Sequence, residues 1–160
     1  MSVVDEFDFT TLKIYQNFSN YSAWQRRSNL LSKYLETFEK SHQIESVLRN
    51  EVEMCRNAAW TEPSDQSIWF YQRWLFDELP KSIPDYQNLL MNLACDQVKS
   101  ICELIEEEGR GSSVSLAMSF VRFIFITVFK EENDTVIEEY LNCLKEVDQL
   151  RSSYWHKLSK

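Results

Sequence analysis

The chain reads as an all-α protein of stacked antiparallel helix hairpins, a segment of a right-handed α-α superhelix. Three observations predict it. A tryptophan-bearing unit occurs twice: Asn17 to Leu31 is answered by 64–76, and Trp24 and Trp69 stand 45 residues apart. The apolar residues between and after these units recur at the helical period. Gly is confined to positions 109 and 111 and Pro to 63, 80 and 84, too few breakers for the turn chemistry of a β architecture.

The repeated unit has its own logic. Asn20 and Asp65 are placed to cap helix N-termini, their side-chain oxygens accepting from orphan backbone N–H groups. Ser22 and Ser67 follow at the first turn, with Trp24 and Trp69 two residues later. Tyr21, Trp24, Ser28 and Leu31 share one helical face, so the indole can wedge against a neighbouring helix. Core packing is the plain reading of each Trp; a surface offered to a partner at the end of a repeat is the sharper one. Arg27, three residues after Trp24, and Arg73, four after Trp69, divide between a structural clamp and a recognition group.

The elements follow in order. Residues 5–16 form a short amphipathic helix through Phe7, Phe9, Leu12, Ile14 and Tyr15, with Phe7 and Phe9 expected to be buried. The second helix is expected over 21–38 and the third over 43–60, where Ile44, Val47, Leu48, Val52, Cys55, Ala58 and Ala59 keep the period. Pro63 ends it, since a proline disfavours helix at Glu62 and removes a donor. The fourth helix, 66–79, is so crowded with Trp, Phe, Tyr and Leu that it requires cover on more than one side. Residues 79–84, with two prolines, read as a linker.

A long regular helix then follows Tyr86 and reaches Ile105, stopping at the acidic run 106–108 and Gly109. Three acids there oppose the helix dipole and read as a solvated face, not a metal site. Residues 114–129 are apolar nearly all round. Sixteen residues interrupted by Arg122, Ser115 and Ser119 fall short of the ~20 a bilayer needs, which favours a buried core helix over a membrane span. A helix through Val136 to Val147, capped by Asn133 or Asp134, and a last short one through Leu150, Tyr154 and Leu158 complete the pattern. The whole is expected to be one domain, 1–160, with repeats at about 5–38 and 43–79 and divergent helices over 85–160.

Composition bounds the chemistry. A net charge of −8 leaves no clustered basic surface for nucleic acid or an anionic membrane. The four cysteines, Cys55, Cys95, Cys102 and Cys143, form no Cys-x-x-Cys pair and stand in apolar helical patterns, so they are expected reduced and buried. His42 and His156 have no ligand-like neighbours and are expected solvated or capping, so no metal site is expected. Met-Ser-Val-Val-Asp-Glu-Phe-Asp lacks the basic region and apolar core of a signal peptide, which points to a cytoplasmic chain. No Gly-rich loop, nucleophile with a base, or carboxylate–His arrangement is present, so no catalytic residue is assigned.

Residues 17–31 and 57–76 resemble the repeats of protein prenyltransferase alpha subunits, whose units carry an Asn and a Ser ahead of a Trp-x-x-Arg core. They are most similar to the late repeats of Rab geranylgeranyltransferase alpha subunits, and 144–154 is similar to the closing Asp-Pro-x-Arg-x-x-Tyr segment of that group. Two departures matter. Gln72, not an arginine, stands three residues after Trp69, and Arg26 precedes Arg27 where the family often has an aromatic or His.

The resemblance implies a scaffold that wraps a prenyltransferase beta subunit. That partner would hold the zinc and the lipid pocket and transfer geranylgeranyl from its diphosphate to carboxyl-terminal cysteines of Rab proteins presented by an escort protein. The family's alpha subunit is about twice this length. Its earlier repeats supply a Lys and a Tyr or His near the diphosphate, and no position here matches them. Asn20, Ser22, Trp24, Arg27, Ser67, Trp69 and Arg73 are therefore carried over as repeat-signature, partner-facing candidates and nothing more. The alpha subunit shared by farnesyl and type I geranylgeranyl transferases, and a non-enzymatic helical-repeat interaction module, are the alternative readings. The second of these would show a period near 34 instead of 45.

Overall fold

A computed structural model describes residues 2–108 and 112–131; the helices expected over 136–158, Cys143, His156 and the segment 144–154 lie outside the described residues. No strand occurs among the described residues.

Three hairpins follow one another. The first pairs α1 (Val3–Gln16) with α2 (Tyr21–Leu35). The second pairs α3 (Ser41–Thr61) with α4 (Gln66–Arg73). The third pairs α6 (Gln87–Glu108) with α7 (Ser112–Phe123). Between α4 and α6 the chain winds through a π-helical stretch, Trp74–Glu78, into a single α-helical turn, α5 (Leu79–Ser82), and a 3-10 turn, Pro84–Tyr86. The second helices pack side by side, α2 on α4 and α4 on α7, while α3 packs on α6 behind them. Each hairpin so covers its neighbour's open face.

The N-termini form for the reasons the sequence suggests. Asn20 Oδ1 accepts from the Ala23 N–H at 3.1 Å, and Asp65 Oδ1 from the Ser67 N–H at 2.7 Å. Ser2 and Asp5 close a capping box at the start of α1, which therefore begins two residues before the expected boundary. At the far end, Phe129 N–H reaches Ile124 O and Glu131 N–H reaches Phe125 O, with Lys130 between them at φ 55°. A lysine so takes the left-handed position that glycine usually fills after a helix, and the hydrogen bonds around it keep the wide π-helical reach.

Four expectations need correction. The stretch 79–84 is not a bare linker. Pro80 sits in the helical turn α5, and the π-helical register just before it supplies the room its ring needs beside the preceding carbonyls. Helix α2 ends at Leu35, not at 38, because Thr37 and Phe38 turn back on Tyr34 and Leu35 in tighter hydrogen bonds. Phe9 is exposed, as are Leu12 and Tyr15, so α1 buries only the stripe of Phe7, Thr10 and Ile14. Cys95 is exposed while Cys55 and Cys102 are buried, because Cys95 follows the core residue Ala94 by one position and points off the stripe.

The core is one continuous cluster running from Phe7 and Ile14 through Trp24, Leu48, Trp69 and Leu75 to Ile101, Phe120 and Ile124. The apolar stretch expected over 114–129 starts earlier, at Ser112, and its last turn, Ile124–Val128, is π-helical. Val114, Met118, Phe120 and Val121 are buried, and the Phe120 ring meets those of Trp69 and Phe76. No described helix is long and apolar enough to cross a membrane.

Candidate functional site

The chemistry of this chain is concentrated where one hairpin meets the next. Trp24 and Trp69 occupy equivalent places: each is buried, and each indole N–H donates at 2.8 Å to a carbonyl six residues earlier, Phe18 O and Pro63 O respectively. The indole therefore locks the four-residue connection onto the helix that follows it, while its ring packs across the seam. Trp24 meets Tyr71 of the next hairpin at 4.8 Å between centroids, and Trp69 meets Phe120 at 5.5 Å.

Arg27 crosses the first seam. Its guanidinium is buried and paired with Glu51 of α3: Nε donates to both carboxylate oxygens at 2.8 and 2.9 Å, and Nη2 lies 2.8 Å from Oε1. Nη1 donates backward to Thr10 Oγ1 at 3.0 Å and Thr11 Oγ1 at 2.6 Å, so one side chain ties α1, α2 and α3 together. The Phe7 ring lies 3.8 Å from the guanidinium carbon and stacks on Tyr34 behind it. Tyr71 of α4 completes the carboxylate, its hydroxyl donating to Glu51 Oε2 at 2.8 Å.

Burial lowers the Arg27 pKa, but the adjacent Glu51 carboxylate, together with Tyr71 and Cys55, outweighs it and holds the guanidinium above its ordinary value. Burial, reinforced by Glu51, pushes the Tyr71 hydroxyl and the Cys55 thiol well above theirs. Cys55 is thus kept as a protonated thiol, the wrong species for a nucleophile or a metal ligand. Among the described residues no group of three or more His, Cys, Asp or Glu could hold a metal ion.

The second seam repeats the first with the charges removed. Gln72 stands in α4 where Arg27 stands in α2, three residues after the Trp, and Gln97 of α6 takes the part of Glu51. Both are fully buried, and Gln97 Nε2 donates to Gln72 Oε1 at 2.6 Å. One hydrogen bond is made, while Gln72 Nε2 and Gln97 Oε1 find no partner among the described residues. Arg73 is displaced by one position onto another face: its guanidinium lies over the Phe123 ring at 5.1 Å, and burial lowers its pKa.

Of the seven carried-over candidates, the structure places Trp24, Arg27, Ser67 and Trp69 inside the chain at the seams. Asn20 is an N-cap, Ser22 is exposed on the first turn of α2, and Arg73 belongs to the α4–α7 contact. Sequence reasoning missed Glu51, Tyr71, Gln97 and Thr10. The available signal was a polar residue inside an apolar stripe: Glu51 falls between Leu48 and Cys55 at helical spacing, and Gln97 between Ala94 and Ile101.

Hairpins that repeat at a fixed step, with the same indole lock and a cross-seam polar pair, define an α-helical repeat scaffold. Two stretches, 3–34 and 48–79, match the protein prenyltransferase alpha subunit repeat, in register with the two tryptophans and the first two hairpins. The chain thus carries two copies of the repeat that this family model describes. Among curated relatives it is 31% identical over 161 residues to the geranylgeranyl transferase type-2 subunit alpha of Saccharomyces cerevisiae, covering 98% of this chain and 49% of that protein. It is 29% identical over 178 residues to the Candida albicans protein of the same name, covering 94% and 48%. With the human protein of that name it shares 46% identity over 74 residues, 44% of this chain and 13% of the relative. The chain spans about half the length of its two yeast relatives.

Proposed function

We propose that this chain acts as alpha subunit, or part of one, in a Rab geranylgeranyltransferase, as the scaffold on which a beta subunit is held. The observation that carries the reading is the similarity to type-2 alpha subunits along nearly the whole chain. The seam geometry supports a scaffolding role: the buried polar groups described above hold helices together, and none is left as a nucleophile, a base or a phosphate cradle. In this reading the beta subunit carries the zinc and the lipid pocket. Zinc there would hold the acceptor cysteine as its thiolate. Geranylgeranyl passes from its diphosphate to the carboxyl-terminal cysteines of Rab proteins brought by an escort protein, in the cytoplasm, and this chain contributes position.

The test is coexpression of the tagged chain with type-2 and with farnesyl-type beta subunits. The type-2 beta subunit is expected to copurify, and the purified complex to transfer labelled geranylgeranyl to a Rab–escort protein complex more than beta subunit alone. Copurification of the farnesyl-type beta subunit instead, or of neither, overturns the assignment.

A further inference from the structure

The first two hairpins are each tied into a unit. Arg27 of α2 donates to Thr10 and Thr11 of α1, and Arg26 pairs with Glu6 at 2.9 Å, so α1 and α2 hold each other. Tyr71 of α4 donates to Glu51 of α3 at 2.8 Å and ties the second pair. Where the two units meet, four side chains run from one face of the stack to the other. Trp24 meets Tyr71, the Tyr71 hydroxyl reaches Glu51, and Glu51 pairs with Arg27.

A groove lies on each side of that layer. On the face of the second helices, a groove of about 290 Å³ has Tyr21 and Ser28 of α2 on one wall, Phe70 and Trp74 on the other, and the buried Trp24 and Tyr71 at its floor. On the face of the first helices, a groove of about 190 Å³ has Asp8 and Tyr15 of α1 opposite Val47 and Asn50 of α3, with the buried Arg27 and Glu51 at its floor. The two floors are the two sides of one wall, joined by the hydrogen bond from Tyr71 to Glu51. The second seam is built differently. There α3 packs on α6, Trp60 donates to Ser100 across them at 3.0 Å, and α4 packs on α7 in front.

Two tied units that meet along a central layer, with open space on both faces, have one easy relative motion, a rocking about that layer. Packed helices yield by such small rigid-body shifts and not by deforming. Because α1 and α2 move together, a rotation that spreads the α2–α4 groove must narrow the α1–α3 groove. The short polar bonds sit at the axis, where displacement is least, and residues 36–40 are the covalent strap between the units.

We propose that the first seam is a pivot: hairpin one rocks on hairpin two about the Arg27–Glu51–Tyr71 layer, and the two grooves open and close in opposition. Whatever seats in one groove thereby sets the width of the other, which couples the two faces of the stack. The proposal concerns this chain's own side chains and is independent of which beta subunit it serves.

The experiment wedges one groove of the full chain and measures the other. Ser28→Trp fills the α2–α4 groove. Nitroxides carried on p-acetylphenylalanine in place of Asp8 and Asn50, which leaves the native cysteines untouched, report the α1–α3 groove by pulsed electron spin resonance. Their mean separation is expected to shorten by about 2 Å relative to the unwedged chain. The converse wedge, Val47→Trp, is expected to bring labels at Tyr21 and Phe70 together by a similar amount. Labels at Asn57 and Lys99, across α3 and α6, are expected to stay in place with either wedge. Where Ser28→Trp lowers the helical circular dichroism, Gln25→Trp replaces it from an exposed position on the same wall. Unchanged separations beside a wedge that leaves the helix content intact overturn the proposal. So does equal movement between Asn57 and Lys99, which is general loosening and no pivot, and so does a wedge that widens both first-seam grooves together.

Discussion

Arg27 shows how much one side chain can be made to hold. It is paired with Glu51, bonded to two threonines of α1 and covered by Phe7, all out of water. A buried ion pair of this kind is a weak source of net stability, because desolvating both charges offsets most of their attraction. Breaking it is another matter, since the survivor is left charged and unpaired. Glu51→Ala is expected to lower unfolding free energy by about 3–5 kcal/mol in denaturant titrations, and Arg27→Ala by a similar amount. Replacing both together by apolar residues of matching volume should cost much less than the sum of the two. Arg27→Lys should behave nearly as badly as the alanine, because an ammonium cannot reproduce the two-pronged contact with Glu51 while reaching Thr10 and Thr11. Of this cluster the sequence displayed Trp24, Arg27 and the Asn20 cap, whose roles follow from position on a helix. Glu51 was legible only as a polar residue inside an apolar stripe; its role was not, because that depends on a partner 24 residues away.

At the scale of elements, periodicity and capping located the main helices to within a few residues, and local chemistry explains where they failed. Two prolines in six residues read as a break, yet Pro80 is absorbed into a helical turn by the π-register that precedes it, a tertiary accommodation with no local sequence signature. Phe9 reads as core because it is a large apolar residue on a short amphipathic helix; in the structure it is exposed, with the Lys13 ammonium over its ring. The α4–α6 contact has its own weakness. Gln72 and Gln97 satisfy one hydrogen bond between them and leave a buried donor and a buried acceptor without partners among the described residues. Gln97→Leu alone should cost about 1–3 kcal/mol, since it strands the Gln72 amide completely. The double variant Gln72→Leu with Gln97→Leu should be near neutral or more stable than the parent, because it removes all four buried polar atoms at once. Thermal melts of the two singles and the double decide the matter; a double variant as damaged as the sum of the singles would contradict it.

For the molecule as a whole, the two described seams differ in kind, one built on a buried ion pair and the other on a neutral glutamine pair, and at the first burial itself holds protons on two groups. Tyr71 and Cys55 both sit at that seam, and burial, with Glu51 behind it, raises both pKa values well above the ordinary 10.0 and 9.0. Below pH 9 both groups are protonated in the folded and the unfolded chain, so the seam keeps its full contribution. As pH rises past 9 and then 10 the unfolded chain releases these protons while the folded chain retains them. The unfolded state then binds fewer protons than the native one, and stability must fall as pH increases. Each group contributes a slope of about 1.4 kcal/mol per pH unit once its unfolded form has ionised. Denaturant titrations between pH 8 and 10.5 should therefore show a decline that begins near pH 9 and steepens near pH 10. Cys55→Ala should remove the onset and Tyr71→Phe part of the steepening, the rest belonging to Tyr34, whose hydroxyl burial also raises, and each substitution comes at the expense of some stability at pH 8. An alkaline decline that survives both substitutions unchanged would place its origin elsewhere, and the first seam would lose its standing as the proton-dependent joint of the stack.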